Sequence, residues 1–268
     1  MNNRITRLFQ EKSGDILSIY LTAGYPRLED TAPLIRHLAD AGVDMIEIGI
    51  PFSDPVADGP TIQQSNQQAL ENGISLSLIF DQLKDIRESV DIPLLLMGYI
   101  NPVLQFGVEK FCHKAAEIGI DGVILPDLPL DEYLENYRSL FESCNLSNIL
   151  LITPQTSEAR IRRIDAETKG FIYVVSTDST TGKTDGFGPA QLTYFERITA
   201  MKLQNPTLVG FGISGPESFR KAADYNAGAI IGSAFIKAIS SGADENVIRS
   251  FIHKIRTGTD SKIFSSSF

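Results

Sequence analysis

Histidine and cysteine are scarce in this 268-residue chain, with three of the first and two of the second. His37, His113 and His253 each fall in stretches of helical periodicity, away from any strand end, so neither a zinc cluster nor a histidine base is expected. Cys112 and Cys144 also sit in helical stretches and are expected to be reduced thiols of the core or an interface, with a disulfide as the minority alternative. Positive charge is in deficit: 24 Lys and Arg against 33 Asp and Glu leave a net charge of −9. That balance argues against nucleic acid or an acidic membrane surface as the main partner. An anionic ligand would have to be held locally, by backbone N–H groups or helix ends. No apolar run approaches the length that crosses a bilayer. The opening Met1-Asn2-Asn3-Arg4-Ile5 lacks the apolar core of a signal peptide, and a cytoplasmic location is expected. No lysine falls inside a strand-like run, which weakens any Schiff-base chemistry; Lys183, in a loop, is the nearest candidate.

What is present is a regular alternation. Strand-like runs occupy 17–22, 45–49, 94–98, 122–126, 149–153, 171–176, 208–212 and 229–232. Helical patterns follow at 29–41, 61–72 with 76–89, 108–118, 131–144, 158–168, 190–202, 217–225 and 244–257. Alternation of this kind requires a parallel sheet. Eight units in a chain of this length favour a closed (β/α)8 TIM barrel over an open sheet, and we expect one domain spanning 1–268. A helix at 5–11 precedes the first strand and could plug the bottom of the barrel. A faint internal repeat aligns Gly42-Val43-Asp44 with Gly119-Ile120-Asp121, each glycine supplying a left-handed helix cap.

Within Asp44-Met45-Ile46-Glu47-Ile48-Gly49-Ile50, period two places the isoleucines on one face and Met45, Glu47 and Gly49 on the other. Glu47 is therefore expected inside the barrel, with Gly49 leaving space above it. A carboxylate there loses hydration worth several kcal/mol unless it is paired or protonated. Asp58 follows in a proline-rich loop, and the two acids together point to acid/base work. A buried structural carboxylate paired with an interior polar group remains the alternative for Glu47, and ordinary Asp-Gly-Pro turn chemistry the alternative for Asp58. Other strand ends carry Tyr99, Asn101 and Asp127, as wall residues or substrate contacts. Gly210-Phe211-Gly212-Ile213-Ser214-Gly215 and Gly232-Ser233 form glycine-rich turns after strands seven and eight, where barrels commonly bind phosphate; the glycines could equally serve tight turns alone. Thr181-Gly182-Lys183-Thr184 looks like the end of a P-loop, but Thr177 stands where the leading glycine should be.

The run from Glu47 to Gln63, Glu47-Ile48-Gly49-Ile50-Pro51-Phe52-Ser53-Asp54-Pro55-Val56-Ala57-Asp58-Gly59-Pro60-Thr61-Ile62-Gln63, closely resembles the hallmark of the tryptophan synthase alpha subunit family. Tyr99-Ile100-Asn101-Pro102, Leu125-Pro126-Asp127-Leu128-Pro129, Gly210-Phe211-Gly212-Ile213-Ser214 and Gly232-Ser233-Ala234 agree in order, so the resemblance spans essentially the whole chain. It implies a lyase that cleaves indole-3-glycerol phosphate to indole and glyceraldehyde 3-phosphate by retro-aldol chemistry. By motif match, Glu47 would be the acid/base and Asp58 would hold the ring N–H. Gly212 and Ser233 would bind phosphate, Gly182 would close over it, and Thr181 would meet Asp58. Tyr20 and Tyr99 would line the ring pocket. Residues 177–180, Thr-Asp-Ser-Thr, depart from the family's usual pattern there. The resemblance also implies docking, through 51–59 and neighbouring loops, on a tryptophan synthase beta subunit in an alpha2beta2 complex. Pyridoxal phosphate would belong to that partner, and this chain would hold no cofactor. A stand-alone indole-releasing lyase and a phosphosugar isomerase on the same barrel are the alternatives.

Overall fold

The computed structural model describes residues 3–55, 58–176 and 187–260. Eight parallel strands close into a barrel in chain order: β1 Ile16–Thr22, β2 Met45–Gly49, β3 Leu94–Met97, β4 Gly122–Ile124, β5 Ser147–Ile152, β6 Ile172–Val175, β7 Thr207–Gly210 and β8 Gly228–Ile231. The expected barrel and its extra N-terminal helix are both present. The helices are α1 Arg4–Glu11, α2 Thr31–Asp40, α3 Pro60–Glu71, α4 Leu76–Leu83, α5 Ile100–Phe106, α6 Val108–Glu117, α7 Leu130–Glu132, α8 Arg138–Ser143, α9 Glu158–Glu167, α10 Pro189–Ala200, α11 Pro216–Ala223, α12 Ser233–Ala238 and α13 Glu245–Thr257. None of the described helices is long and apolar enough to cross a membrane.

Strand periodicity sorts the side chains into two cores. Ile46, Ile48 and Ile50 join the outer core beneath the helices, whereas Met45, Leu95, Ile124, Ile149, Tyr173 and Leu208 fill the barrel interior. Ile5 from α1 is fully buried in that interior cluster and closes the bottom, lying against the backbone of Gly122 and Gly170. Burial of such a side chain is worth about 1.5–3 kcal/mol. The expected plug is real. Gly42 and Gly119 take the left-handed cap conformation at φ +86° and +79°.

Three local expectations are corrected. The helix anticipated over 76–89 stops at Leu83 and resumes as a 3-10 turn at Ile86–Glu88. The one anticipated over 131–144 is broken by a π turn at Tyr133–Tyr137. Asn101, expected in a loop, stands in the first turn of α5, where Pro102 is tolerated because an N–H there has no helical acceptor. Several strands end one or two residues early for local reasons. β7 stops at Gly210 because Phe211 and Gly212 turn to φ +70° and +74°. The histidines lie in α2, α6 and α13 on the outer ring, and Cys112 and Cys144 are buried free thiols.

Candidate active site

Glu47 sits midway along β2, in register with Tyr20 of β1 and Leu95 of β3, and is 0% exposed. Its carboxyl receives one hydrogen bond, from the Ser18 hydroxyl to Oε1 at 3.2 Å; Oε2 is buried without a partner among the described residues. Burial, partly offset by Ser18, pushes the Glu47 pKa up to about 8. The structural-pair alternative can be weighed against other acids in this chain. Asp121, at the barrel bottom, takes bonds from Arg4, Arg87 and the Leu94 N–H. Asp165 takes the N–H groups of Gln204 and Asn205. Those acids are satisfied as buried carboxylates ordinarily are. Glu47 is not, and it keeps a proton and an open oxygen.

Space above Glu47 is shaped by two tyrosines. A Cβ at Gly49 would overlap the Tyr20 phenol, and one at Gly210 would overlap the Tyr173 hydroxyl. Glycine at these positions is what admits the rings. The room expected over Gly49 is thus filled by Tyr20. Burial, then the charges of Asp58 and Glu47, raise the Tyr20 pKa, with Thr22 opposing. Tyr173 is raised by burial and by Glu47, Asp58 and Tyr20. Both phenols remain protonated, and both feel both acids, so Glu47 and Asp58 lie near the same two rings.

Asp58 approaches these rings from the loop between β2 and α3. Its N–H closes a turn onto the Pro55 carbonyl at 3.2 Å, and the Gln63 amide of α3 holds its carbonyl at 2.8 Å. Gly59 then begins α3, with Pro60 in the first turn. The Tyr99 hydroxyl donates to Asp58 Oδ2 at 3.4 Å, and Phe52 packs on Tyr99 with ring centroids 5.3 Å apart. Burial raises the Asp58 pKa to about 6 against the Tyr99 hydrogen bond. Asp58 is therefore mostly ionised at neutral pH while Glu47 is mostly protonated. The separated pKa values give the two carboxyls different protonation states at neutral pH.

On the far side, Gly212 is exposed at the end of β7, within ordinary contact distance of Ser176 and Phe187. The Ser176 hydroxyl fastens this turn through the Phe211 carbonyl at 2.7 Å. Ser233 opens α12 next door and is exposed, and Gly232 packs against Tyr20. The glycine-rich ends of β7 and β8 are thus open to solvent, the β8 end close to Tyr20.

Not every candidate belongs there. Asp127 accepts the Ile100 N–H at 2.9 Å and so caps α5; Asn101 is exposed. Thr181, Gly182 and Lys183 lie outside the described residues. Conversely, Ser18, Tyr173, Thr22 and Ser65 were not singled out from the sequence. The signal for two of them was available: Ser18, Tyr20 and Thr22 form a period-two polar stripe on an otherwise aliphatic strand.

The family model described as tryptophan synthase alpha chain matches residues 7–259. The tryptophan synthase alpha chain of Flavobacterium johnsoniae is 58% identical over 95% of this chain and 100% of its own length. That of Flavobacterium psychrophilum is 56% identical over 94% and 99%. Among solved structures, the alpha chain from Legionella pneumophila superposes with a TM-score of 0.85 at 31% identity, covering 96% of this chain and 97% of that one. Tryptophan synthase from M. tuberculosis in its aminoacrylate-bound form gives a TM-score of 0.83 at 28% identity, covering 96% and 99%.

Proposed function

Because the chain belongs to the tryptophan synthase alpha chain family, lyases that cleave indole-3-glycerol phosphate to indole and glyceraldehyde 3-phosphate, we propose that Glu47 and Asp58 carry the chemistry. Protonated Glu47 gives its proton to C3 of the indole ring, producing a cationic tautomer. Asp58, as the carboxylate, holds the ring N–H and balances that charge. The Glu47 carboxylate then takes the proton of the side-chain hydroxyl. The bond from C3 to the hydroxyl-bearing carbon breaks, its electron pair returns to the ring, and the aldehyde leaves. Glu47 ends protonated, as it began. The observation that carries this reading is a buried acid with an unpartnered oxygen and a raised pKa, flanked by tyrosines that also feel a second, ionised acid. No metal is required, since the protonated ring is the electron sink.

Gly212 and Ser233 bind the phosphate through the β7 and β8 turns, and Tyr20 and Tyr99 wall the ring. Thr181 and Gly182 complete the site from the loop after β6. Placing a carboxylate at the phosphate end gives a direct check. Ser233→Asp is expected to raise KM for indole-3-glycerol phosphate at least tenfold with a much smaller change in kcat, and an unaltered KM would move the phosphate elsewhere.

The partner in this reading is a tryptophan synthase beta subunit, in a cytoplasmic alpha2beta2 assembly. An open groove beside the Asp58 loop, lined by Phe52, Asp54, Pro55, Gln63, Gln67 and Leu70, offers an apolar and polar mixture suited to docking. Leu104, on α5, is a further large apolar side chain left 50% exposed. In that assembly the pyridoxal phosphate would belong to the beta subunit, as membership of the family implies. Indole formation from indole-3-glycerol phosphate, measured with and without a beta subunit, tests this reading. Strong stimulation supports the complex; equal rates favour a stand-alone lyase.

A further inference from the structure

Tyr20 carries a hydroxyl whose surroundings give it more than a wall's role. Thr22, two residues on and on the same face of β1, donates its hydroxyl to the Tyr20 oxygen at 3.5 Å. Thr22 is itself fully buried and lies 2.8 Å from the Ser65 hydroxyl of α3. A hydroxyl has a single proton to give. With the Thr22 proton directed at Tyr20, the 2.8 Å contact is served by the Ser65 proton, although Ser65 can instead turn to the Ile62 carbonyl at 2.9 Å. Ile62 lies inside α3, so its carbonyl keeps a helical partner in either case. In the arrangement where Ser65 turns to Thr22, the protons run from Ser65 to Thr22 to Tyr20, and that arrangement leaves the phenol proton of Tyr20 uncommitted among the described residues.

The phenol stands beside Glu47: Tyr20 is in register with it on the neighbouring strand, and the Tyr20 ring lies over Gly49. Burial first, then the charges of Asp58 and Glu47, keep the phenol neutral and protonated. We propose that the Tyr20 hydroxyl is a substrate-contacting donor that gives a hydrogen bond to the side-chain hydroxyl oxygen of indole-3-glycerol phosphate, with Thr22 and Ser65 as positioning residues. The oxygen then accepts from Tyr20 while its own proton points at the unpartnered Oε2 of Glu47. When the carbon–carbon bond breaks, that oxygen becomes the aldehyde carbonyl and keeps the Tyr20 bond. Tyr20 transfers no proton; it gains strength as the oxygen gains negative charge, and donors aimed at developing charge act mainly on kcat. This inference rests on reading Glu47 as the group that takes the hydroxyl proton.

The test is steady-state indole release by the chain with its beta subunit, in Tyr20→Phe, Thr22→Val, Thr22→Ser and Ser65→Ala, beside Glu47→Gln. Tyr20→Phe keeps the ring and loses only the hydroxyl. We expect kcat to fall roughly 10- to 100-fold with KM changed less than about threefold. Thr22→Val is expected to lose part of that rate and Thr22→Ser to restore it, a contrast that packing alone would not produce because the serine leaves the larger gap. Wild-type kcat in Tyr20→Phe, with Glu47→Gln inactive, overturns the donor and leaves the acid/base reading standing. Full turnover in Glu47→Gln overturns both. If Tyr20→Phe does not fold, the Thr22 pair decides: equal rates for Val and Ser overturn the relay.

Discussion

Glu47→Gln is expected to lower kcat for indole release by roughly 10³- to 10⁴-fold, the upper part of what a positioned acid/base contributes. The amide keeps the shape that fits between Ser18 and Tyr20 but can neither give a proton to C3 nor take one from the hydroxyl. KM should change little, because the phosphate turns are at the other end of the site. Wild-type turnover in this variant would end the acid/base assignment. The same residue sets the pH response. Raised to about 8, Glu47 loses its proton as pH climbs through that value, and Asp58, raised to about 6, loses its charge as pH falls through it. The profile of kcat/KM should therefore be a bell with its plateau between those limits. Stability follows the same sign: a carboxyl raised in the folded state stabilises fully below its ordinary pKa near 4.5, and that stabilisation is lost as pH rises through about 8. Glutamine removes the penalty. At pH 9 the variant should be more stable to urea than the wild type, by up to about 5 kcal/mol, while at pH 4 the two should be close. A variant less stable at both pH values would show that Glu47 is a structural residue.

Asp58→Asn is expected to lower kcat about 100-fold, because an amide can hydrogen-bond the ring N–H but cannot balance the charge on the protonated ring. A buried carboxylate near a cation is worth far more than a neutral acceptor. Asp58 has one direct side-chain partner among the described residues, the Tyr99 hydroxyl, and that bond survives an amide oxygen. The turn should survive too, since the Asp58 backbone makes it, through Pro55 and Gln63. Steady-state rates with an unfolding curve would separate the two effects. A loss below tenfold would reduce Asp58 to a turn former.

Reading the sequence for periodicity located every strand to within two residues and put Glu47 on the face opposite Ile46 and Ile48, and the structure turns that face inward with Met45. Breaks in the helices were less visible. Nothing in residues 131–144 announces a π turn, which inserts one residue per turn without needing glycine or proline. Asp127 was ambiguous for a different reason: a carboxylate at a strand end reads alike whether it meets a substrate or caps the next helix. Only its 2.9 Å bond to the Ile100 N–H decides for the cap.

By itself, then, the order of residues determined the barrel and the two faces of the strand that carries Glu47, and it marked Glu47 and Asp58 as candidates. These follow from period and local turn chemistry, and each depends on neighbours along the chain. Tertiary structure alone decided that Glu47 has Ser18 on one oxygen and nothing on the other, that Tyr20 and Tyr173 occupy the hollows left by Gly49 and Gly210, and that Ser65 of α3 reaches Thr22 of β1. Those relations join residues from different strands and helices. Burial and partner count set the protonation of a carboxyl, and both are properties of the closed barrel that no single segment carries.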